Sequence, residues 1–192
     1  EGECSKLRSL IHHANNIVLC CHVSPDGDAI GSVLGMAEVL KCMGKEPVMV
    51  VPDQFPDYLQ WLPNTEKIVR YDKRSDYVDM VLKIADLVIC LDFNALSRTD
   101  DMEAALEACT APRVLIDHHL NPSIACQVCV SHPNMSSASE LVFRVAWQLG
   151  LFEQLGRHFA TAVYCGMMTD TGGFTFNANA PETFYSISQV LT

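Results

Sequence analysis

Short apolar runs rich in β-branched residues recur along the chain at 17–23, 47–51, 87–93, 114–116 and 127–130. Between them, apolar residues fall at helical spacing over 6–15, 29–42, 78–84, 101–109, 137–149 and 153–168. This alternation predicts an α/β fold: a mainly parallel sheet with helices on both faces. The connections are short, as a compact doubly wound domain needs. Residues 52–64, with Pro52, Pro56, Pro63, Phe55 and Trp61, break the alternation. They read as an irregular excursion or short helix on the sheet edge, with the aromatics there for packing.

No internal repeat or low-complexity linker divides the chain, so residues 1–192 are expected to form one domain. A hydrophobic content of 49% is enough for a well-filled core. No run of 18 apolar residues exists, and Glu1-Gly2-Glu3-Cys4 offers neither a basic segment nor an apolar secretion core. The expectation is a soluble cytoplasmic protein with no membrane contact. The nine cysteines are an odd number, mostly set in apolar stretches such as Val88-Ile89-Cys90-Leu91, which suits a reducing compartment. Cys126 and Cys129 form a Cys-x-x-Cys without a second such motif and read as strand packing rather than a zinc or redox site.

Net charge changes the picture of partners. At −10 the chain has no surplus of cations with which to neutralise many phosphates, so duplex nucleic acid is not an expected ligand. Part of the acid excess falls where it can serve cations instead. His22, Asp26 and Asp28 lie within seven residues in His-Val-Ser-Pro-Asp-Gly-Asp-Ala-Ile-Gly-Ser, at the turn from the first strand into a helix. Imidazole and carboxylate together suit Mn²⁺ or a similar divalent ion better than a thiolate-seeking metal. One acid here could simply cap the helix, but two acids and a histidine exceed what capping needs. Gly27 and Gly31 permit tight turning and close helix packing.

Three further segments place chemistry at the ends of predicted strands or helices. Asp92 directly follows Val88-Ile89-Cys90-Leu91, on the same predicted sheet edge as the first cluster, where a carboxylate could bridge two cations. Arg98, six residues on, could contact a phosphate through its planar donor fork, or pair with Asp100 or Asp101 at the surface. Asp117-His118-His119 follows Val114-Leu115-Ile116; adjacent histidines point different ways, so one can bind metal while the other faces substrate, and Asp117 can fix an imidazole tautomer. Asp170, in Met-Thr-Asp-Thr-Gly-Gly-Phe after an apolar helix, is a candidate last ligand, although the glycines could also be a plain helix-terminating turn. His12, His13, His132 and His158 lie in polar surroundings and are expected at the surface.

Taken in order, these four segments resemble the motifs of the DHH phosphoesterase superfamily, named for the triplet that stands here as Asp117-His118-His119. The resemblance spans nearly the whole chain and is nearest to the nano-RNase and oligoribonuclease branch, with Ser136-Ser137-Ala138-Ser139-Glu140-Leu141 fitting that branch. It implies a hydrolase with two divalent cations, Mn²⁺ first and Mg²⁺ or Co²⁺ as alternatives, acting on short single-stranded RNA or a small nucleotide such as 3′-phosphoadenosine 5′-phosphate. It further implies His22, Asp26 and Asp92 on one cation, Asp28, Asp92, His118 and Asp170 on the other, and His119 facing the scissile phosphate. The family's usual C-terminal substrate-binding domain has no counterpart in these residues, and a homodimer is compatible with the resemblance. Pyrophosphatase, cyclic-dinucleotide phosphodiesterase and non-catalytic nucleotide-binding roles are the alternatives it leaves.

Overall fold

The structure, a computed structural model, describes residues 2–178 and 180–191; Glu1, Asn179 and Thr192 lie outside the described residues. Six strands form one sheet in the order β3-β2-β1-β4-β5-β6: β1 (Ile17–Cys20), β2 (Val48–Val51), β3 (Val69–Arg70), β4 (Leu87–Leu91), β5 (Arg113–Asp117) and β6 (Val128–Ser131). Every pairing is parallel, with Leu19 beside Met49 and Ile89, and Ile116 beside Leu91 and Val130. The expected α/β architecture is therefore present, with a sheet that is parallel throughout the described residues.

The pleat divides the core into two layers. Ile17 and Leu19 of β1, Leu87, Ile89 and Leu91 of β4, and Val114 and Ile116 of β5 face one layer. Val18, Cys20, Val88, Cys90 and Leu115 face the other. Because both faces are covered, the strands are continuously apolar instead of alternating. The first layer is closed by α1 (Gly2–His13), α2 (Gly27–Cys42), α5 (Ala138–Gln148), α6 (Arg157–Asp170) and α7 (Pro181–Val190). The second is closed by α3 (Tyr71–Ile84) and α4 (Glu103–Ala108). The longest uninterrupted burial is in α2, whose residues from Gly27 to Ala37 are all inaccessible.

Several boundaries differ from expectation, each for a local reason. The first strand stops at Cys20 and the fourth at Leu91, because the chain then turns through Ser24 and Asp92, both at positive φ, 52° and 65°. The third helix begins at Tyr71 rather than 78; its first turn is polar and breaks at Arg74, so apolar spacing cannot reveal it. The segment expected as one helix over 101–109 is a 3₁₀ stretch (Leu96–Met102) running into α4, and 153–168 becomes a 3₁₀ turn (Phe152–Gln154) followed by α6, which starts after Gly156. Residues 52–64 do form the irregular excursion: Phe55, Leu59 and Leu62 pack on the core. Trp61, by contrast, is 64% exposed, so packing does not account for it. Cys126 and Cys129 pack against the second core layer as partly buried free thiols, and His12, His13, His132 and His158 are exposed. No helix among the described residues is long and apolar enough to cross a membrane.

Candidate metal centre

In an open parallel sheet the ligand crevice lies beyond the carboxyl ends of the strands, where the strand order reverses. Here that point falls between β1 and β4. The turn carrying His22 and Asp26 leaves β1, and Asp92 leaves β4, so the two segments meet across it. The loop after β1 is pinned on both sides: Val23 N–H donates to the Arg98 carbonyl (2.8 Å) and Ser24 N–H to Asp53 Oδ1 (2.6 Å).

Asp26 is the N-cap of α2 and also faces the crevice. Its Oδ1 accepts from the N–H groups of Asp28 (3.0 Å) and Ala29 (2.9 Å), satisfying two of the orphan donors at the helix start. Its Oδ2 lies 3.9 Å from His22 Nε2. Capping thus occupies one oxygen of the carboxylate and leaves the other facing His22. His22 Nδ1 is 2.7 Å from the Val23 carbonyl; a proton there leaves Nε2 as a lone-pair donor aimed at Asp26 and at Asp92 Oδ2, 3.4 Å away.

Asp92 occupies the centre. Its left-handed backbone is a conformation that Asp tolerates better than most residues, and it swings the carboxylate out of the strand line into the crevice. Oδ2 faces His22, while Oδ1 faces His118 Nε2 at 3.5 Å. The side chain is almost fully buried, and among the described residues Oδ1 has no hydrogen-bond partner. A buried carboxylate oxygen left without a donor costs several kcal/mol unless a cation takes that place.

The two histidines after β5 have different nearest partners. His118 Nε2 lies 3.5 Å from Asp170 Oδ2 and 3.8 Å from Asp28 Oδ2, and its Nδ1 is 3.3 Å from the Met135 carbonyl. His119 turns aside, with Nδ1 2.7 Å from Asp117 Oδ1. Asp117 is wholly buried, so the imidazole it orients is that of His119, and His118 relies on a backbone carbonyl instead.

Asp28 and Asp170 come from helix ends of opposite polarity. Asp28 sits in the first turn of α2, and its oxygens accept from the Ala138 (2.7 Å) and Ser139 (2.9 Å) N–H groups at the start of α5. Asp170 is the last residue of α6, where the helix dipole adds negative potential. The glycines beyond it, Gly172 and Gly173 at φ 55° and 71°, terminate the helix; Gly173 N–H donates to the Met168 carbonyl at 2.8 Å. What brings these ends together is a glycine seam. A Cβ on Gly31 would sit 2.6 Å from the Ala162 carbonyl, and one on Gly27 2.3 Å from Thr169 Oγ1, so α2 lies against the backbone of α6 at Gly31 and against the Thr169 side chain at Gly27.

Sequence reading missed the support given by α5. Ser137 caps that helix by accepting from Glu140 N–H (3.0 Å), and buried Glu140 reaches back to Ser136, to Thr183 of α7 and to Arg144. The Ser-x-x-Glu spacing of a capping box was the available signal. Arg98 lies at the rim, in the 3₁₀ stretch; among the described residues its side chain makes no ion pair with Asp100, Asp101 or any other acid.

The electrostatics are those of crowded carboxylates. Burial, then the nearby Asp92 and Asp170 charges, push the Asp28 carboxyl well above its ordinary value. Burial followed by Asp92 and Asp26 raises that of Asp170, against the pull of the histidines. Asp92 is likewise raised by burial, but His118 and His22 outweigh it and hold the carboxyl below its ordinary value. The same acids lift His118 to about 9 despite its burial. Among the described residues, three groups of donors lie close enough to hold a metal ion: His22, Asp26 and Asp92; Asp28, His118 and Asp170; and Asp92, His118 and His119. Hard oxygen and imidazole nitrogen donors around an unsatisfied Asp92 oxygen fit divalent cations.

The chain is similar to several known proteins. The chain is 32% identical over 178 residues to the bifunctional oligoribonuclease and PAP phosphatase NrnA of Thermus thermophilus, an alignment covering 91% of this chain and 49% of that protein. An exopolyphosphatase-related protein from Bacteroides fragilis superposes with a TM-score of 0.97 at 43% identity, over 99% of this chain and 56% of that one. The manganese-bound exonuclease RecJ shares the fold, with a TM-score of 0.56 at 14% identity, over 99% of this chain and 46% of that one. The chain spans about half the length of the NrnA relative. Residues 16–167 match the N-terminal domain of the DHH family, and the chain belongs to that family.

Proposed function

We propose that this chain carries the catalytic centre of a metal-dependent phosphoesterase that hydrolyses short oligoribonucleotides to 5′-nucleotides and 3′-phosphoadenosine 5′-phosphate to AMP. The observation that carries the reading is Asp92, whose two oxygens face His22 on one side and His118 on the other. The likeness to an oligoribonuclease and PAP phosphatase supports the substrate class. His22, Asp26 and Asp92 would hold one divalent cation, and Asp28, Asp92, His118 and Asp170 a second. Manganese is the ion proposed, on the donor set and on the manganese bound by RecJ, which shares the fold. Bound there, such cations supply a nucleophile of lowered pKa and charge neutralisation at the phosphoryl group.

The chain's own residues do the rest. Asp117 accepts the Nδ1 proton of His119, which leaves Nε2 to meet substrate and stabilises a positive charge on the ring. His119 Nε2–H then donates to a phosphoryl oxygen or to the departing oxygen. Arg98, whose backbone carbonyl accepts from Val23 N–H of the His22 turn, would grip a flanking phosphate through its guanidinium. Water oxygen ends on phosphorus, the P–O3′ bond breaks, and the leaving 3′-oxygen takes a proton, giving a 5′-nucleotide.

The test is hydrolysis of a 5′-labelled RNA dinucleotide and of 3′-phosphoadenosine 5′-phosphate, with Mn²⁺ and with chelator, beside pyrophosphate, polyphosphate and a cyclic dinucleotide. Manganese-dependent release of mononucleotide is the expected result. Turnover confined to pyrophosphate, polyphosphate or the cyclic substrate would reassign the activity.

A further inference from the structure

The turn that brings His22 to the crevice is held by a side chain outside the ligand set. Residues 21–26 join the end of β1 at Cys20 to the start of α2 at Gly27. Within them Ser24 is exposed and stands in the left-handed region at φ 52°, a conformation that a residue with a Cβ keeps only when its surroundings fix it. What fixes it comes from the neighbouring strand. Asp53, two residues beyond the end of β2, accepts the Ser24 N–H on Oδ1 at 2.6 Å, and its Oδ2 lies 3.5 Å from Ser24 Oγ. Among the described residues these are the only hydrogen bonds of the Asp53 side chain. Arg70, near enough to feel the Asp53 charge, has its guanidinium on Asp72 and Gln54 instead.

The Ser24 N–H and the Val23 carbonyl are the two ends of one peptide group. That group is planar and trans, so aiming its N–H at Asp53 also sets the direction of its oxygen. This oxygen is the atom that lies 2.7 Å from His22 Nδ1. A carboxylate, a peptide and an imidazole therefore stand in series. Asp53 Oδ1 takes the Ser24 N–H, the Val23 oxygen takes the Nδ1 proton, and Nε2 keeps its lone pair toward Asp26 and Asp92. Metal-bound histidines are commonly oriented by a carboxylate in direct contact. Here the carboxylate acts through one amide. Hydrogen bonds in such a chain polarise one another, so negative charge at the Asp53 end makes the Val23 oxygen a better acceptor and Nε2 a better electron-pair donor. The other half of the centre is built differently: Asp28 and Asp170 sit at helix ends, and His118 Nδ1 lies against the Met135 carbonyl.

We infer that Asp53 is a positioning residue for the cation proposed at His22, Asp26 and Asp92, acting on His22 through the Val23–Ser24 peptide. The inference rests on the two-cation reading and adds that the two sites are unequally supported. One stands on the packed ends of α2 and α6; the other depends on a turn that Asp53 and the Arg98 carbonyl hold from either side.

The test is calorimetric titration of Mn²⁺ into the metal-free chain and into Asp53→Ala and Asp53→Asn, with melting of the metal-free variants to show that each is folded. Asp53→Ala should weaken one of the two bound ions by roughly tenfold or more and leave the other as it was. Asp53→Asn keeps an oxygen for the Ser24 N–H and should recover most of that affinity. In a His22→Ala background, Asp53→Ala should add no further loss, because the group it acts through is gone. An Ala variant that does not fold is replaced by Asp53→Ser, which carries the same expectation. Unchanged affinities, a loss shared equally by both ions, or equal losses in the Ala and Asn variants would overturn the inference. Should the unsubstituted chain bind no Mn²⁺, the two-cation reading fails by itself, and the crystal structure of Asp53→Ala still decides the positioning. His22 Nδ1 released from the Val23 carbonyl supports it; a Val23–Ser24 peptide that keeps its orientation, with His22 still on it, overturns it.

Discussion

Single side chains at this centre carry two duties at once, and their substitution should separate them. Asp92 spends one oxygen on each half of the site, so Asp92→Asn is expected to abolish paired cation binding and to cut turnover by at least roughly a hundredfold. Elemental analysis of the gel-filtered variant checks this; two tightly held ions per chain would disprove the bridge. His119→Ala should behave differently, keeping the cations while slowing hydrolysis by about a hundredfold or more, because its nearest partner is Asp117. Loss of both ions in that variant would move His119 into the ligand set. At this scale the sequence was informative about residue type and poor about division of labour. Asp26, Asp28, Asp92, His118 and Asp170 could all be picked out from acids and histidines at element ends. That Asp26 caps with one oxygen and faces the crevice with the other depends on a χ angle, which no spacing rule contains. The same holds for Asp117, whose partner is the second histidine of the pair and not the first.

Helix packing sets the spacing of those residues. Asp28 and Asp170 lie on α2 and α6, which approach closely along Gly27 and Gly31, with the Thr169 side chain opposite the first and the Ala162 carbonyl opposite the second. Gly31→Ala would press a methyl group against a backbone carbonyl, which cannot rotate away, and is expected to cost about 1–3 kcal/mol of stability. Gly35→Ala meets side-chain tips, Val163 at 3.0 Å and Val142 at 3.4 Å, and should cost less. Urea unfolding of the two variants gives the comparison, and equal losses would argue against a seam that tightens toward the metal centre. The glycines were visible in the sequence as candidates for close packing, since their spacing of four keeps them on one helix face. Among the elements that escaped sequence reading, two-residue β3, the polar first turn of α3 and the 3₁₀ stretch that carries Arg98 have too little apolar surface to leave a pattern.

Across the whole molecule, one sheet gathers segments that are far apart in the chain, from His22 to Asp170, onto one edge. Cations there would bind the folded chain and find no such arrangement in the unfolded one. Manganese at roughly a hundred times its dissociation constant should therefore raise stability by about 2–3 kcal/mol, and chelator should remove the gain. Thermal melting with and without the ion measures it, and an unchanged midpoint would count against a site formed only by the fold. The α/β class and parallel sheet were legible because β1, β2 and β4 are buried enough to be uniformly apolar and β5 and β6 carry apolar residues at their centres; the meeting of β1 and β4 at the reversal of strand order needed the topology. The glycine seam has a last consequence. Since Gly31 of α2 faces the Ala162 carbonyl and the Gly166 Cα of α6 with no room for a methyl group between them, the distance between Asp28 and Asp170 has little slack to lose gradually. Warming should leave the grip on metal nearly constant and then release it in the same narrow interval in which the fold itself gives way, with no earlier softening of the centre.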